Sequence, residues 1–202
     1  MIATVNFLLA FFFSFIGTIP PGTINLTCVQ LGLDKKIGMA WRFAITASIM
    51  EYPYAWIAVE FAEWITSSPM VVENMQLITA IVMTVLGILT LWAPSTPSTI
   101  TTKISESGFL RAFILSVLNP LAIPFWVGTT AYLNSLYWID LSTPLRLHSY
   151  LLGVCLGTFA ILIMLVYLAK RIGTQFAQNA WLHRIPGIAL IILGIYAFFQ
   201  YL

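Results

Sequence analysis

Charge is what this chain most conspicuously lacks. Asp, Glu, Lys and Arg make up 8% of its 202 residues, whereas 60% are hydrophobic and the mean hydropathy is +0.94. A soluble globular domain carries about 25% charged residues, so a water-soluble core of this size is excluded and the bilayer is the solvent that fits. Cysteine is nearly absent: Cys28 and Cys155 lie in apolar stretches and offer no disulfide framework. Histidine is equally scarce, and His148 and His183 read as loop residues without partner ligands, so no metal site is assigned. With so few basic residues the small positive net charge implies no nucleic-acid partner. No cofactor and no enzymatic activity are expected. Polar sequence sufficient for a soluble domain is missing too, so residues 1–202 read as one transmembrane domain. The first 18 residues lack a positive leader and run too long for a signal-peptide core, which makes them a retained helix.

What is present is a series of apolar runs. A spanning helix needs about 20 mostly apolar residues. Segments near 3–33, 37–63, 75–93, 109–134, 149–169 and 184–202 qualify, giving six spans. The longest connector, Pro94 to Gly108, is rich in Ser, Thr and Pro and reads as a loop. Cytoplasmic connections carry an excess of Lys and Arg. Lys35, Lys36, Arg42, Lys103, Arg111, Lys170, Arg171 and Arg184 all fall on one side of the six-span alternation, with Arg146 alone on the other. That bias places both termini outside. Trp41, Trp64, Trp92, Trp138 and Trp181 fall near span ends, as an interfacial aromatic belt requires.

The chain also resembles itself. The third span contains Leu86-Gly87-Ile88 and the sixth Leu193-Gly194-Ile195 at the same offset. The first span is broken at Pro20-Pro21, and the fourth at Asn119-Pro120 with Pro124. Each half, about 1–93 and 109–202, holds three helices, so the second is inverted relative to the first. The fold expected is therefore an all-α membrane bundle of two inverted three-helix repeats whose first and fourth helices are broken. Secondary transporters share this pattern and place their sites near the midplane.

The breaks carry the candidate site. Pro20 and Pro21 free the carbonyls of Ile16 and Gly17, and Pro120 and Pro124 free those of Ser116 and Pro120. In hydrocarbon these groups need another partner: protein, water or substrate. Gly22, Thr23, Ile24 and Asn25 then start a half-helix whose amides suit a carboxylate. Asn25 and Asn119 add amide side chains beside the two breaks. Glu51 lies nine residues beyond Arg42, about 13 Å along a helix, and Pro120 lies at the same distance from Arg111. An acid at that depth costs several kcal/mol and marks function by default. Glu51 reads as a proton carrier, a counter-charge for a substrate ammonium, or both in turn; the competing view is a structural carboxyl satisfied by a tyrosine or by backbone freed near Pro53. Glu60 and Glu63 sit nearer the outer end. Trp126 and Trp56 lie deeper than the belt tryptophans, either walling the site or simply packing. Gly153 and Gly157 form a close-packing face for another helix of the chain or for a second copy in a homodimer.

Thr18-Ile-Pro-Pro-Gly-Thr-Ile-Asn25, an acid in the second span and Leu118-Asn-Pro-Leu-Ala122 together resemble the lysine-exporter (LysE-type) superfamily across the whole chain. The resemblance implies export of amino acids across the bacterial cytoplasmic membrane, usually in exchange for protons, with Pro21, Glu51, Asn119 and Pro120 at the family's motif positions. Members commonly carry Gly-Pro-Gly-Pro at the first break and Lys after Asn-Pro; here Pro20-Pro21-Gly22-Thr23 and Leu121 stand instead. Other readings are a metal-cation exporter, a lipid-handling transporter and a membrane thiol oxidoreductase. Hard cations want several oxygen ligands, and Glu51 has no second acid near it in sequence. A thiol relay expects cysteines at matching places in both halves, whereas seven residues after Pro21 stands Cys28 and seven after Pro120 stands Val127.

Overall fold

The structure is a computed structural model that describes residues 1–19, 22–67, 70, 74–92, 108–117, 119, 122–172 and, in part, 188–199. Every element among them is helical. In chain order these are α1 (Ile2–Gly17), α2 (Thr23–Leu33), α3 (Ile37–Ser67), α4 (Met75–Trp92), α5 (Gly108–Val117), α6 (Ala122–Ser135) and α7 (Pro144–Ile172). Further helical positions occur between 188 and 199. The first and fourth apolar segments are each divided, into α1 and α2 and into α5 and α6, the latter pair bent by 65°. Pro20, Pro21 and Pro120, Lys103, Trp181, His183 and Arg184 lie outside the described residues. Residues Pro144–Arg171, with a mean hydropathy of 2.6, are long and apolar enough to cross a bilayer, as is the α5–α6 pair taken as one span.

One expectation is corrected. The fifth span starts at Pro144 rather than near 149, because proline with its fixed φ is well suited to the first helical position. His148 is therefore a helical residue, not a loop residue, and its Nδ1 lies 2.7 Å from the Tyr52 hydroxyl.

Contacts along the helices fix their relative directions. Asn6 meets Asp140, Ser14 meets Val154 and Thr158, and Gly32 abuts Val166, so α1 and α2 run parallel to α7. Gly108 abuts Met39 and Tyr54 meets Ser116, so α5 runs parallel to α3, and Glu51 meets Trp126 of α6. Tyr52 pairs with His148 and Trp41 with Tyr167, so α3 and α7 are antiparallel. Gly194 sits against Ala80 and Thr84, joining the last segment to α4.

The face made by Gly153 and Gly157 turns inward. A Cβ on Gly153 would meet the Phe7 carbonyl and Ala10, and one on Gly157 would meet the Phe11 carbonyl and Ser14. The partner is α1 of the same chain. Absent side chains let the backbones approach, and Ser14 Oγ then reaches the Val154 carbonyl at 2.7 Å and Thr158 Oγ1 at 2.8 Å.

Helix ends repeat between the two broken spans. At the first break the Ile19 amide bonds the Ile16 carbonyl at 3.0 Å, and at the second the Asn119 amide bonds the Ser116 carbonyl at 2.9 Å. Both donors immediately precede a proline. At the far end of α2, Lys35 and Lys36 amides bond Gly32 and Leu31; at the far end of α6, Tyr137 and Trp138 amides bond Asn134 and Leu133. These are paired Schellman closures, each with a non-glycine residue in the left-handed region, Lys35 at φ 57° and Tyr137 at φ 56°.

The buried apolar side chains fall into two clusters. One joins Ile24, Cys28, Leu31, Phe43, Leu115 and Leu162; the other joins Ala10, Val59, Trp126, Leu133, Tyr150 and Val154. Lys35, Lys36, Arg42, Arg111, Lys170 and Arg171 gather at the end of the first cluster. Arg146 stands at the opposite end, ion-paired to Asp140. Hydrogen bonds from Ser142 and then the Arg146 charge hold the Asp140 carboxyl below the usual carboxylate range. Asn6 is fully buried there, and donates to the Asp140 carbonyl at 2.7 Å while accepting from its amide at 3.4 Å. Asn6→Ala strands both backbone groups, so a loss of about 1–3 kcal/mol is expected in thermal unfolding in detergent.

Candidate functional site

The gap between the two apolar clusters is where the breaks lie. In α3, residues Ala40 to Ala47 belong to one cluster and Ala55 to Val59 to the other, and Glu51 stands between them. The described residues on either side of each break divide in the same way, Ala10 from Ile24 and Leu115 from Trp126, as do Val154 and Leu162 on α7. Polar groups concentrate at this level because helices interrupted in an apolar environment leave carbonyls and amides that need partners.

Two hydrogen bonds tie α3 across the second break. The Trp126 indole Nε1 donates to Glu51 Oε2 at 2.7 Å, and the Tyr54 hydroxyl donates to the Ser116 carbonyl at 3.0 Å. Glu51 and Tyr54 are three residues apart on one helix face, so one turn of α3 grips α5 through Ser116 and α6 through Trp126. Trp126 is 2% exposed, and its ring packs edge-on against Phe125 at 5.0 Å. Phe125 in turn lies over Gly17, where a Cβ would run into its ring. The end of α1 is thereby brought to the same site.

The other expected site residues divide. Gly22, in an extended conformation, precedes α2 without a side-chain cap, and the space beside its Cα is open. Gly22 and Thr23 are exposed, leaving the first turn of α2 accessible. Asn25 is buried and its side-chain amide donates to the Thr18 carbonyl, spanning the break from the inside. Asn119 is partly buried and holds the end of α5 through its backbone. Pro124 lies within the first turn of α6, next to Phe125. Trp56 does not join the site: it is 43% exposed and packs with Tyr52 and His148. Glu60 is exposed beyond the second cluster.

The sequence did not single out Tyr54, Phe125 or Ser116 Oγ. The Ser116 hydroxyl is buried without a hydrogen-bond partner among the described residues. A signal existed for it, since Ser116 is the residue whose carbonyl Pro120 frees. No group of three or more His, Cys, Asp and Glu side chains that could hold a metal occurs among the described residues. The two cysteines are free thiols, Cys28 buried in the first apolar cluster and Cys155 half-buried on α7.

A helical bundle with two interrupted spans meeting at one buried-level acid has the build of a membrane carrier. A family model described as LysE type translocator matches residues 15–200. The chain belongs to this family and is a multi-pass membrane transport protein. Neither the curated proteins nor the solved structures gave a match.

Proposed function

We propose that this translocator exports amino acids or similar small zwitterions across the bacterial cytoplasmic membrane in exchange for protons. The observation that carries the reading is Glu51, set between two apolar clusters at the level of both helix breaks and held by Trp126. A zwitterion needs one acidic and one amide-rich partner. Glu51 supplies the first and the uncapped first turn of α2, open beside Gly22, supplies the second. The start of α6 near Asn119, Pro120 and Ala122 offers a further half-helix end.

Two inverted halves with six spans and both termini outside fit the relative directions of the helices and the matched closures at Lys35 and Tyr137. The crowding of basic residues at one end fits that end being cytoplasmic. In this cycle the substrate ammonium faces Glu51 from the inside, and protonation of Glu51 from the outside releases the substrate and resets the carrier. Trp126 keeps the carboxyl aimed through both steps, because its N–H can donate to either protonation state.

Counterflow in proteoliposomes tests the reading. Vesicles loaded with a mixture of unlabelled L-amino acids are expected to accumulate at least one labelled L-amino acid above the level of protein-free vesicles. Uptake of none, with correctly folded protein in the bilayer, contradicts an amino-acid substrate.

A further inference from the structure

We infer that Ser116, guarded by Tyr54, completes with Glu51 a three-acceptor subsite for a primary ammonium group. This rests on the proposed role of Glu51 and specifies the chemistry that role serves.

A primary ammonium carries three N–H donors and no acceptor. Buried away from water it needs three acceptors, at least one of them charged. The set we assign is the Glu51 carboxylate, the Ser116 carbonyl and the Ser116 hydroxyl oxygen, which one turn of α3 connects: Glu51 accepts from Trp126 and Tyr54 donates to the Ser116 carbonyl. The carbonyl is available because Pro120, four residues on, has no N–H to give it. In the empty protein it accepts from the Asn119 amide at 2.9 Å and from the Tyr54 hydroxyl at 3.0 Å. The hydroxyl is 98% buried by the 2% exposure of Ser116, yet lacks a partner among the described residues. A buried hydroxyl left unsatisfied is unfavourable, and an arriving N–H donor would satisfy it.

Tyr54 gives the subsite its gate. Its hydroxyl occupies the Ser116 carbonyl from the same helix face that carries Glu51, so an arriving ammonium displaces the tyrosine and bonds both residues. The subsite favours a primary amine over a quaternary one, which has no N–H to share, and over an anion, which Glu51 repels.

Thiol labelling tests this without knowledge of the substrate. Ser116→Cys, in full-length protein with Cys28→Ser and Cys155→Ser, is treated in proteoliposomes with the ethylammonium and the sulfonatoethyl methanethiosulfonates. Rates are normalised to those of a small free thiol. The ammonium reagent is expected to react at least about tenfold faster than the sulfonate. Adding Glu51→Gln should remove most of that preference, and adding Tyr54→Phe should raise the rate. Equal rates for the two reagents, a preference untouched by Glu51→Gln, or no reaction in folded protein each overturn the subsite. Tyr54→Cys, read in the same way, serves if Ser116→Cys does not fold. Labelling is independent of counterflow: charge-selective labelling without amino-acid counterflow keeps the ammonium subsite and removes the amino-acid substrate, whereas counterflow without selective labelling removes the subsite alone.

Discussion

Replacing Glu51 with glutamine is expected to lower amino-acid counterflow by about 100-fold or more while leaving the fold in place. The amide oxygen of glutamine still accepts from the Trp126 indole, which now sits 2.7 Å from Glu51 Oε2, so the grip of α3 on α6 survives. What goes is the charge. Losing one partner of a buried ion pair costs roughly 2–5 kcal/mol, and each 1.4 kcal/mol is about tenfold in affinity. Glu60→Gln is the control: Glu60 is exposed and lies beyond the second apolar cluster, so its counterflow should match the wild type. Thermal unfolding of both variants in detergent should stay close to that of the parent. Unchanged counterflow in Glu51→Gln means that the acid is structural.

Gly157→Leu is expected to destabilise the protein by more than about 3 kcal/mol, the largest structural effect of any single substitution considered. The site offers no room, because even a methyl group there would meet the Phe11 backbone carbonyl and lie 2.8 Å from Ser14 Cβ. Forcing a side chain into a packed contact with backbone falls among the few mechanisms that reach such values. The helices must separate, and the Ser14 bonds to Val154 and Thr158 go with them. Gly128→Ala provides the opposite sign. Nothing lies within 4 Å of a Cβ at that position, so alanine's better helix propensity should stabilise α6 by up to about 1 kcal/mol. Unfolding followed by tryptophan fluorescence in detergent reads both. A Gly157→Leu protein as stable as the parent would mean that α1 and α7 do not meet there.

Much of the helix layout was legible because hydropathy and proline act locally. Among the described residues, apolar runs placed the helix ends to within about five residues, and Pro20-Pro21 and Pro120 marked the two interruptions. Glu51 stood out because an acid in the middle of an apolar run has few structural excuses. The rest was hidden for identifiable reasons. The partner of Glu51 proved to be Trp126, 75 residues away, and no local pattern reports a contact at that separation. A tyrosine was one partner considered for it, but the nearby Tyr54 gives its hydroxyl to the Ser116 carbonyl. Gly153 and Gly157 announced a close contact but not which helix would fill it. The matched Schellman closures were invisible because the usual marker is a glycine or asparagine at the left-handed position. Here lysine and tyrosine occupy it, at Lys35 and Tyr137. The start of α7 was misplaced by reading hydropathy alone, which begins counting where Arg146 and His148 end, although Pro144 marks the first turn.

These strands meet in one claim, that substrate binds at the level of the two breaks against Glu51. The competing location is the basic end, where a recess of about 550 Å³ is lined by Lys35, Lys36, Gly38 and Arg42 at the start of α3. An experimental structure with a transported amino acid bound at saturating concentration decides between them. The expected result is density beside Glu51, with the amine about 3 Å from its carboxylate, the carboxylate directed toward the first turn of α2, and Tyr54 withdrawn from the Ser116 carbonyl. Density in the recess at Lys35 and Arg42, with the Glu51–Trp126 and Tyr54–Ser116 bonds undisturbed, would contradict the account.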